Sequence, residues 1–267
     1  MLIKDTINLT EVKHKMRKNS MLEEFSVSGR KILISGASRG IGLNLCNRLA
    51  ELDAHIIGIS RSSRPSELLE KIDYYQTDIN EMSQVEQLRE KIYNKYKNLD
   101  GLINVAGISL GTEVDVSSEI MRFKKTIDSN LSSVYALTQI LLPLLVDKGG
   151  SIVNFSSINS QIGFPDNPGY VASKSGLTGL TRALAIDYAK FKIRVNSIAP
   201  GYFHTAMTDA SFNDPVKHKI RSEKTILGRW GHIDDLVGPT IFLVTDMSKY
   251  ITGIEITVDG GWTAKGM

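Results

Sequence analysis

The sequence predicts one α/β domain, a doubly wound sheet of about seven parallel strands with helices on both faces. Three observations lead there. Short β-branched runs alternate with longer amphipathic stretches along 267 residues, the pattern of strands buried on both faces by crossover helices. Apolar residues make up 42% of the chain, enough to bury the core of one large domain. A glycine-rich turn joins the first apolar run to the first amphipathic stretch.

Residues 1–28 precede the first strand. Leu2, Ile3, Ile7, Leu9, Val12 and Met16 supply apolar side chains for a partly ordered arm or helix. The domain proper occupies 29–267. Seven runs read as strands: KILIS at 31–35, HIIGIS at 55–60, DYYQT at 73–77, LDGLINVA at 99–106, SIVNFS at 151–156, IRVNSIA at 193–199 and IEITV at 254–258. Helices fill the gaps. The glycine turn opens one that runs to about Leu52, and Val85, Leu88, Ile92 and Tyr96 mark the apolar stripe of another over 81–97. One long helix is predicted from Ser118 to Leu145, another from Asn167 to Lys190, and a shorter one from Ile233 to Asp246. Residues 202–230 follow neither periodicity, and an irregular insertion beside a site is expected to form a lid.

Composition narrows the function classes. A net charge of +3 gives no case for nucleic acid. No apolar run approaches the roughly 20 residues of a membrane span, and the charged N-terminus lacks the apolar stretch of a secretory peptide. A soluble cytoplasmic protein is expected. Cys46 is the one cysteine and reads as a small buried residue of the first helix. The five histidines have no paired ligand spacing, so no metal site is predicted.

The turn is Gly36-Ala37-Ser38-Arg39-Gly40-Ile41-Gly42. Its glycines let the backbone approach a pyrophosphate, whose charge suits the free N–H groups at a helix N-terminus, so the sheet is of Rossmann type with a dinucleotide site. An acidic residue some ~20 positions further on would hold the ribose hydroxyls of NAD. None is present. The second strand ends in Ser60, Arg61, Ser62, Ser63 and Arg64, and Arg39 projects from the turn itself. Guanidiniums without a carboxylate suit a 2′-phosphate, so NADP(H) is favoured, with NAD(H) as the alternative.

Tyr170 and Lys174 lie four residues apart on a predicted helix and so share a face, with Ser157 thirteen residues before the tyrosine. A tyrosine titrates near ~10 and needs a fixed cation to work as an acid or base at neutral pH. Lys174 can supply it. A ketone accepting hydride at carbon develops negative charge on oxygen and needs two donors there, which Ser157 and Tyr170 provide. Asn130 falls among Phe123, Ile127, Val134 and Leu137, where an amide requires a buried partner. Phe164, Phe203 and Met207 are candidate walls of the substrate pocket.

From about Ser28 to Trp262 these residues together resemble the short-chain dehydrogenase/reductase family. SGASRGIG at 35–42 is similar to its TGxxxGxG loop, and NVAG at 104–107 to its NNAG, with Val105 departing. The resemblance implies that Tyr170 is the general acid/base, that Ser157 orients the carbonyl, that Lys174 lowers the tyrosine pKa and holds the nicotinamide ribose, and that Asn130 supports a proton relay. It further implies that Asp78 and the adjacent Ile79 hold the adenine, that Asn104, Ala106 and Gly107 shape the cofactor wall, and that Pro200, Gly201 and Thr205 bind the nicotinamide. A homotetramer acting on a small carbonyl or alcohol is implied as well. The pattern is similar to 3-oxoacyl-carrier-protein reductases, so NADPH-dependent carbonyl reduction of that kind is the main expectation; VDGGW with LGRWG also resembles gluconate 5-dehydrogenases, and a sugar-acid or polyol dehydrogenase is the alternative. A dinucleotide-binding scaffold without turnover is the rival of another class.

Overall fold

In a parallel sheet every strand needs a crossover, and the apolar runs here are spaced to allow one. β1 (Lys31–Ser35), β2 (His55–Ser60), β3 (Asp73–Gln76), β4 (Gly101–Asn104), β5 (Gly150–Phe155), β6 (Ile193–Pro200) and β7 (Glu255–Val258) pair in parallel in the order β3-β2-β1-β4-β5-β6-β7. In this computed structural model the described residues are 23–111 and 115–265, so most of the arm expected at 1–28 lies outside them. β1, β2, β4 and β5 are almost entirely buried, because helices cover both faces. One side of the core holds Ile32, Ile34, Leu45 and Leu49; the other holds Leu33, Ile57, Val85, Leu88 and Ile92. Cys46 is buried on the first of these, as its sequence position implies, and burial pushes its thiol pKa up.

The helices are α1 (Gly40–Glu51), α2 (Met82–Tyr96), α3 (Val116–Ile127), α4 (Ser133–Leu141), α5 (Pro168–Tyr188), α6 (Asp209–Phe212), α7 (Pro215–Lys224) and α8 (Val237–Val244). Two expectations change. The single helix predicted over 118–145 is broken by a π turn at Asp128–Ser132 and ends in a 3₁₀ turn at Leu142–Leu144, where Pro143 cannot donate a hydrogen bond. The irregular segment 202–230 contains two short helices, α6 and α7. Asp214 caps α7 by accepting from the Val216 and Lys217 N–H groups.

The sheet reverses its winding between β1 and β4, and a crevice opens there at the carboxyl ends of the strands. Buried amides support this line from within. The Asn104 amide donates to Asn154 Oδ1 at 2.9 Å and to Thr138 Oγ1 at 3.3 Å, and the Asn154 amide donates to Thr181 Oγ1 at 2.9 Å. Leu102, fully buried on β4, is expected to cost about 2–5 kcal/mol when truncated to Ala. Urea unfolding of Leu102→Ala should therefore show a lower midpoint with an unchanged slope.

Candidate active site

A cleft of about 620 Å³ lies along that reversal. Its floor is the turn after β1. Gly36 has φ +74°, and a Cβ there would come 2.9 Å from the Ala106 nitrogen; a Cβ on Gly42 would come 2.2 Å from the Gly36 oxygen. Ser35 ties the same turn to the end of β4, its hydroxyl accepting from the Val105 and Ala106 N–H groups at 3.1 and 3.2 Å. Arg39, the N-cap of α1, makes no side-chain cap bond, and the first turn of α1 holds no acidic residue. A helix start that no side chain caps, with a backbone stripped to glycine beside it, fits the pyrophosphate of a nicotinamide dinucleotide.

The cleft continues past Ser60, Arg61 and Ser62 on one side and Ala106 and Gly107 on the other, with Ser38, Ile41 and Ile79 also on its walls. Pro200, Gly201, Phe203, Thr205 and Met207 close it beyond β6. Arg64 is not among its residues. The Arg64 guanidinium donates to the Ile72 and Leu69 carbonyls at 2.8 and 2.7 Å and braces the 65–72 loop instead.

At the far end stand Ser157, Tyr170 and Lys174. The predicted helix exists as α5, and its i, i+4 spacing puts the lysine and tyrosine on one face, with Lys174 Nζ 5.7 Å from the Tyr170 ring centre. Lys174 is buried, and its ammonium donates to the Phe155 carbonyl at 2.7 Å. Burial lowers its pKa to about 8. Ser157 stands with Tyr170 on the same cleft wall, and its hydroxyl accepts from the Asn159 N–H at 3.2 Å. Burial raises the Tyr170 pKa, and the Ser157 hydroxyl offsets that only in part. The sequence names the lysine but not the desolvation, which depends on how deeply α5 packs.

Four expected site residues stand off the cleft wall. Asn130 is fully buried on the π turn. Its Oδ1 accepts from the Ile108 N–H at 2.8 Å, and its amide donates to the Ile108 carbonyl at 2.9 Å and to Ser173 Oγ at 3.1 Å. Asn104 lies beneath the floor in the amide network. Asp78 accepts from the Asn80 N–H and side-chain amide, and Phe164 is half-buried on the loop before α5. Thr77 and Asn80, which flank Asp78 and Ile79, line the cleft unpredicted, as do Ser109, Leu110 and Thr208. Ser109 Oγ accepts from the buried Asn167 amide at 2.7 Å, a contact across 58 residues that no local pattern announces.

Residues 36–263 match a family model described as enoyl-(acyl carrier protein) reductase. The chain belongs to the short-chain dehydrogenase/reductase family. It is 34% identical to 2-dehydro-3-deoxy-D-gluconate 5-dehydrogenase of Dickeya dadantii, over 92% of this chain and 100% of that one. It is equally 34% identical to a 3-oxoacyl-[acyl-carrier-protein] reductase of Thermotoga maritima, over 88% and 98%. Its fold is similar to that of a gluconate 5-dehydrogenase from Burkholderia cenocepacia in complex with NADP and tartrate, with a TM-score of 0.85 and 30% identity over 92% and 100% of the chains. The family member described here is thus an NAD(P)-dependent oxidoreductase acting on CH–OH or C=O groups. Overpacking the floor should damage it: Gly42→Ala is expected to cost about 1–3 kcal/mol. The melting temperature should fall by several degrees in calorimetry, and dinucleotide binding followed by fluorescence should weaken.

Proposed function

We propose that the protein is an NADP(H)-linked dehydrogenase/reductase that interconverts a ketone and a secondary alcohol on a small hydroxylated acid, as in sugar-acid metabolism. The observation that carries this reading is the meeting of Ser157, Tyr170 and Lys174 at one end of a dinucleotide-shaped cleft. Ser157 donates a hydrogen bond to the substrate oxygen, and Tyr170 passes its proton to that oxygen as charge develops. The raised phenol pKa keeps the proton available at neutral pH. Lys174, fixed on the Phe155 carbonyl, then stands beside the phenolate and stabilises it. Asn130 braces the Ile108 backbone and Ser173 beneath the lysine, in support of the proton path. When bound, the nicotinamide dinucleotide gives or takes the hydride.

Preference for NADP(H) is supported by charge. No acidic residue lines the cleft among the described residues, while Arg39 and Arg61 do. The Burkholderia relative was crystallised with NADP. Asp78 and Ile79 at the end of β3 are assigned to the adenine side, with Thr77 and Asn80 beside them. Phe203, Thr205 and Met207 start the segment 202–230, which we assign as the lid; Phe164 stays a candidate only for its outer rim. The sugar-acid class is supported by the Dickeya relative, matched over its whole length, and by the hydroxyls of Ser109 and Ser157 on the wall. The Thermotoga relative at the same identity supports a second reading, reduction of 3-oxoacyl thioesters.

We also assign a cytoplasmic homotetramer. Among the described residues no helix is long and apolar enough to cross a membrane. Ile120, Met121 and Phe123 on α3, Tyr135 on α4 and Ile186 on α5 are exposed apolar residues of the kind that subunits cover.

A panel of keto and hydroxy sugar acids, polyols and 3-oxoacyl thioesters, run with NADPH and NADH in both directions, tests the reading by absorbance. Turnover of sugar acids is expected; turnover of thioesters alone would favour the second reading, and none at all with tight cofactor binding would favour a scaffold. Tyr170→Phe is expected to lower kcat by about 10²–10⁴-fold with cofactor affinity within about twofold. Arg61→Ala is expected to weaken NADPH binding by about 10-fold or more and to leave NADH binding unchanged, as measured by fluorescence titration.

A further inference from the structure

Glu255 opens β7, the edge strand of the sheet, and is paired in register with Ser197 of β6. Its carboxylate is the acceptor for five side chains from four parts of the fold. Oε2 accepts from the Ser156 hydroxyl, from Thr178 Oγ1 at 2.6 Å and from Ser197 Oγ at 3.3 Å. Oε1 accepts from Ser160 Oγ at 2.8 Å and from the Gln161 amide at 2.9 Å. None of the ion pairs among the described residues includes Glu255, so its charge is met by hydroxyl and amide dipoles alone. Burial works to raise its pKa, and the bonds from Ser156, Thr178, Gln161 and Ser160 outweigh that and hold it below the usual carboxylate range.

The donors are not scattered. Ser156 immediately precedes Ser157, and Ser160 and Gln161 follow it within one 3₁₀ turn. Thr178 lies one turn beyond Lys174 on α5, and its hydroxyl also reaches the Lys174 carbonyl at 3.2 Å. Ser175 on the same helix donates to the Ser160 carbonyl at 3.1 Å. One carboxylate therefore gathers both sides of the segment that carries Ser157 and pins it to the helix that carries Tyr170 and Lys174. A hydroxyl has one proton, and a charged acceptor fixes where that proton points.

We propose that Glu255 is a positioning residue: its ionised carboxylate fixes residues 156–161 against α5 and so holds the Ser157 hydroxyl beside the Tyr170 phenol. This rests on the roles given above to Ser157 and Tyr170. Glu255 touches neither directly. It acts through backbone placement, and replacing the carboxylate frees the segment to drift from the helix.

The test needs no known substrate. Tyr170 ionisation is isolated by ultraviolet difference titration of each protein against its own Tyr170→Phe counterpart, in the wild type, Glu255→Gln, Glu255→Ala, Ser157→Ala and the Ser157→Ala/Glu255→Gln double variant. The Ser157 hydroxyl lowers the Tyr170 pKa, so its drift away from the phenol is expected to move the Tyr170 midpoint up by about one pH unit in Glu255→Gln. The double variant should show no shift beyond that of Ser157→Ala, because both changes remove the same contact. With any substrate found by the panel, kcat should fall about 10-fold while the NADPH dissociation constant stays within about twofold. A lower melting temperature with an unmoved Tyr170 midpoint would reduce Glu255 to a structural clamp and overturn the proposal, as would additive shifts in the double variant. If Glu255→Ala does not fold, the isosteric Gln variant decides. If the wild type turns over nothing, the functional reading fails, and the titration still decides whether Glu255 governs the Ser157–Tyr170 contact.

Discussion

A buried ammonium must find an acceptor, and Lys174 finds it in the carbonyl that ends β5, 2.7 Å away. The rest of the site is arranged around that bond. Phe155 is the last residue of its strand, so fixing its carbonyl also fixes the start of the turn that presents Ser157 two residues later. Lys174 sits on the first half of α5, so the same bond fixes the helix one turn earlier, where Tyr170 joins Ser157 on the cleft wall. Gly107 yields the room. A Cβ there would stand 3.5 Å from the ammonium and 3.2 Å from Asn130 Oδ1, tight for the second of these. The cost of burying the cation is visible in its lowered pKa, and the site keeps the residue despite it.

The second constraint is the shape of the sheet. Placing β1 centrally and β4 beside it sends the crossovers in opposite directions, and the cleft of about 620 Å³ lies in the crevice left between them. The glycines of the turn matter because two backbone segments approach more closely than any side chain permits, at Gly36 against Ala106 and at Gly42 against Gly36. The glycine floor and the end proposed as reactive thus line one cleft along the same edge of the sheet. Hydride chemistry needs that proximity, since a donor and an acceptor must meet without water between them.

Much of this was legible in the chain because it depends on local rules. Strands buried on both faces announce themselves as β-branched runs, and β1 and β2 begin and end where those runs do. The strand–glycine–helix turn and the four-residue spacing of Tyr170 and Lys174 are also local. What escaped is tertiary. The π turn at Asp128–Ser132 leaves the apolar period almost intact, and it carries Asn130, whose bonds to Ile108 span 22 residues. Arg64, three residues past Arg61, is claimed by carbonyls of the following loop, which its position in the sequence does not announce. The burial of Tyr170 is tertiary in the same way: a neighbouring cation can be read from spacing, and depth of burial cannot.

The bond between Lys174 and Phe155 is tested most directly by nuclear magnetic resonance of protein carrying isotopically labelled lysine, titrated from neutral to alkaline pH. One side-chain resonance should titrate near pH 8, well below the others, and it should vanish in Lys174→Arg. A Lys174 signal that titrates together with the exposed lysines would mean a solvated ammonium, and the site as described here would not hold.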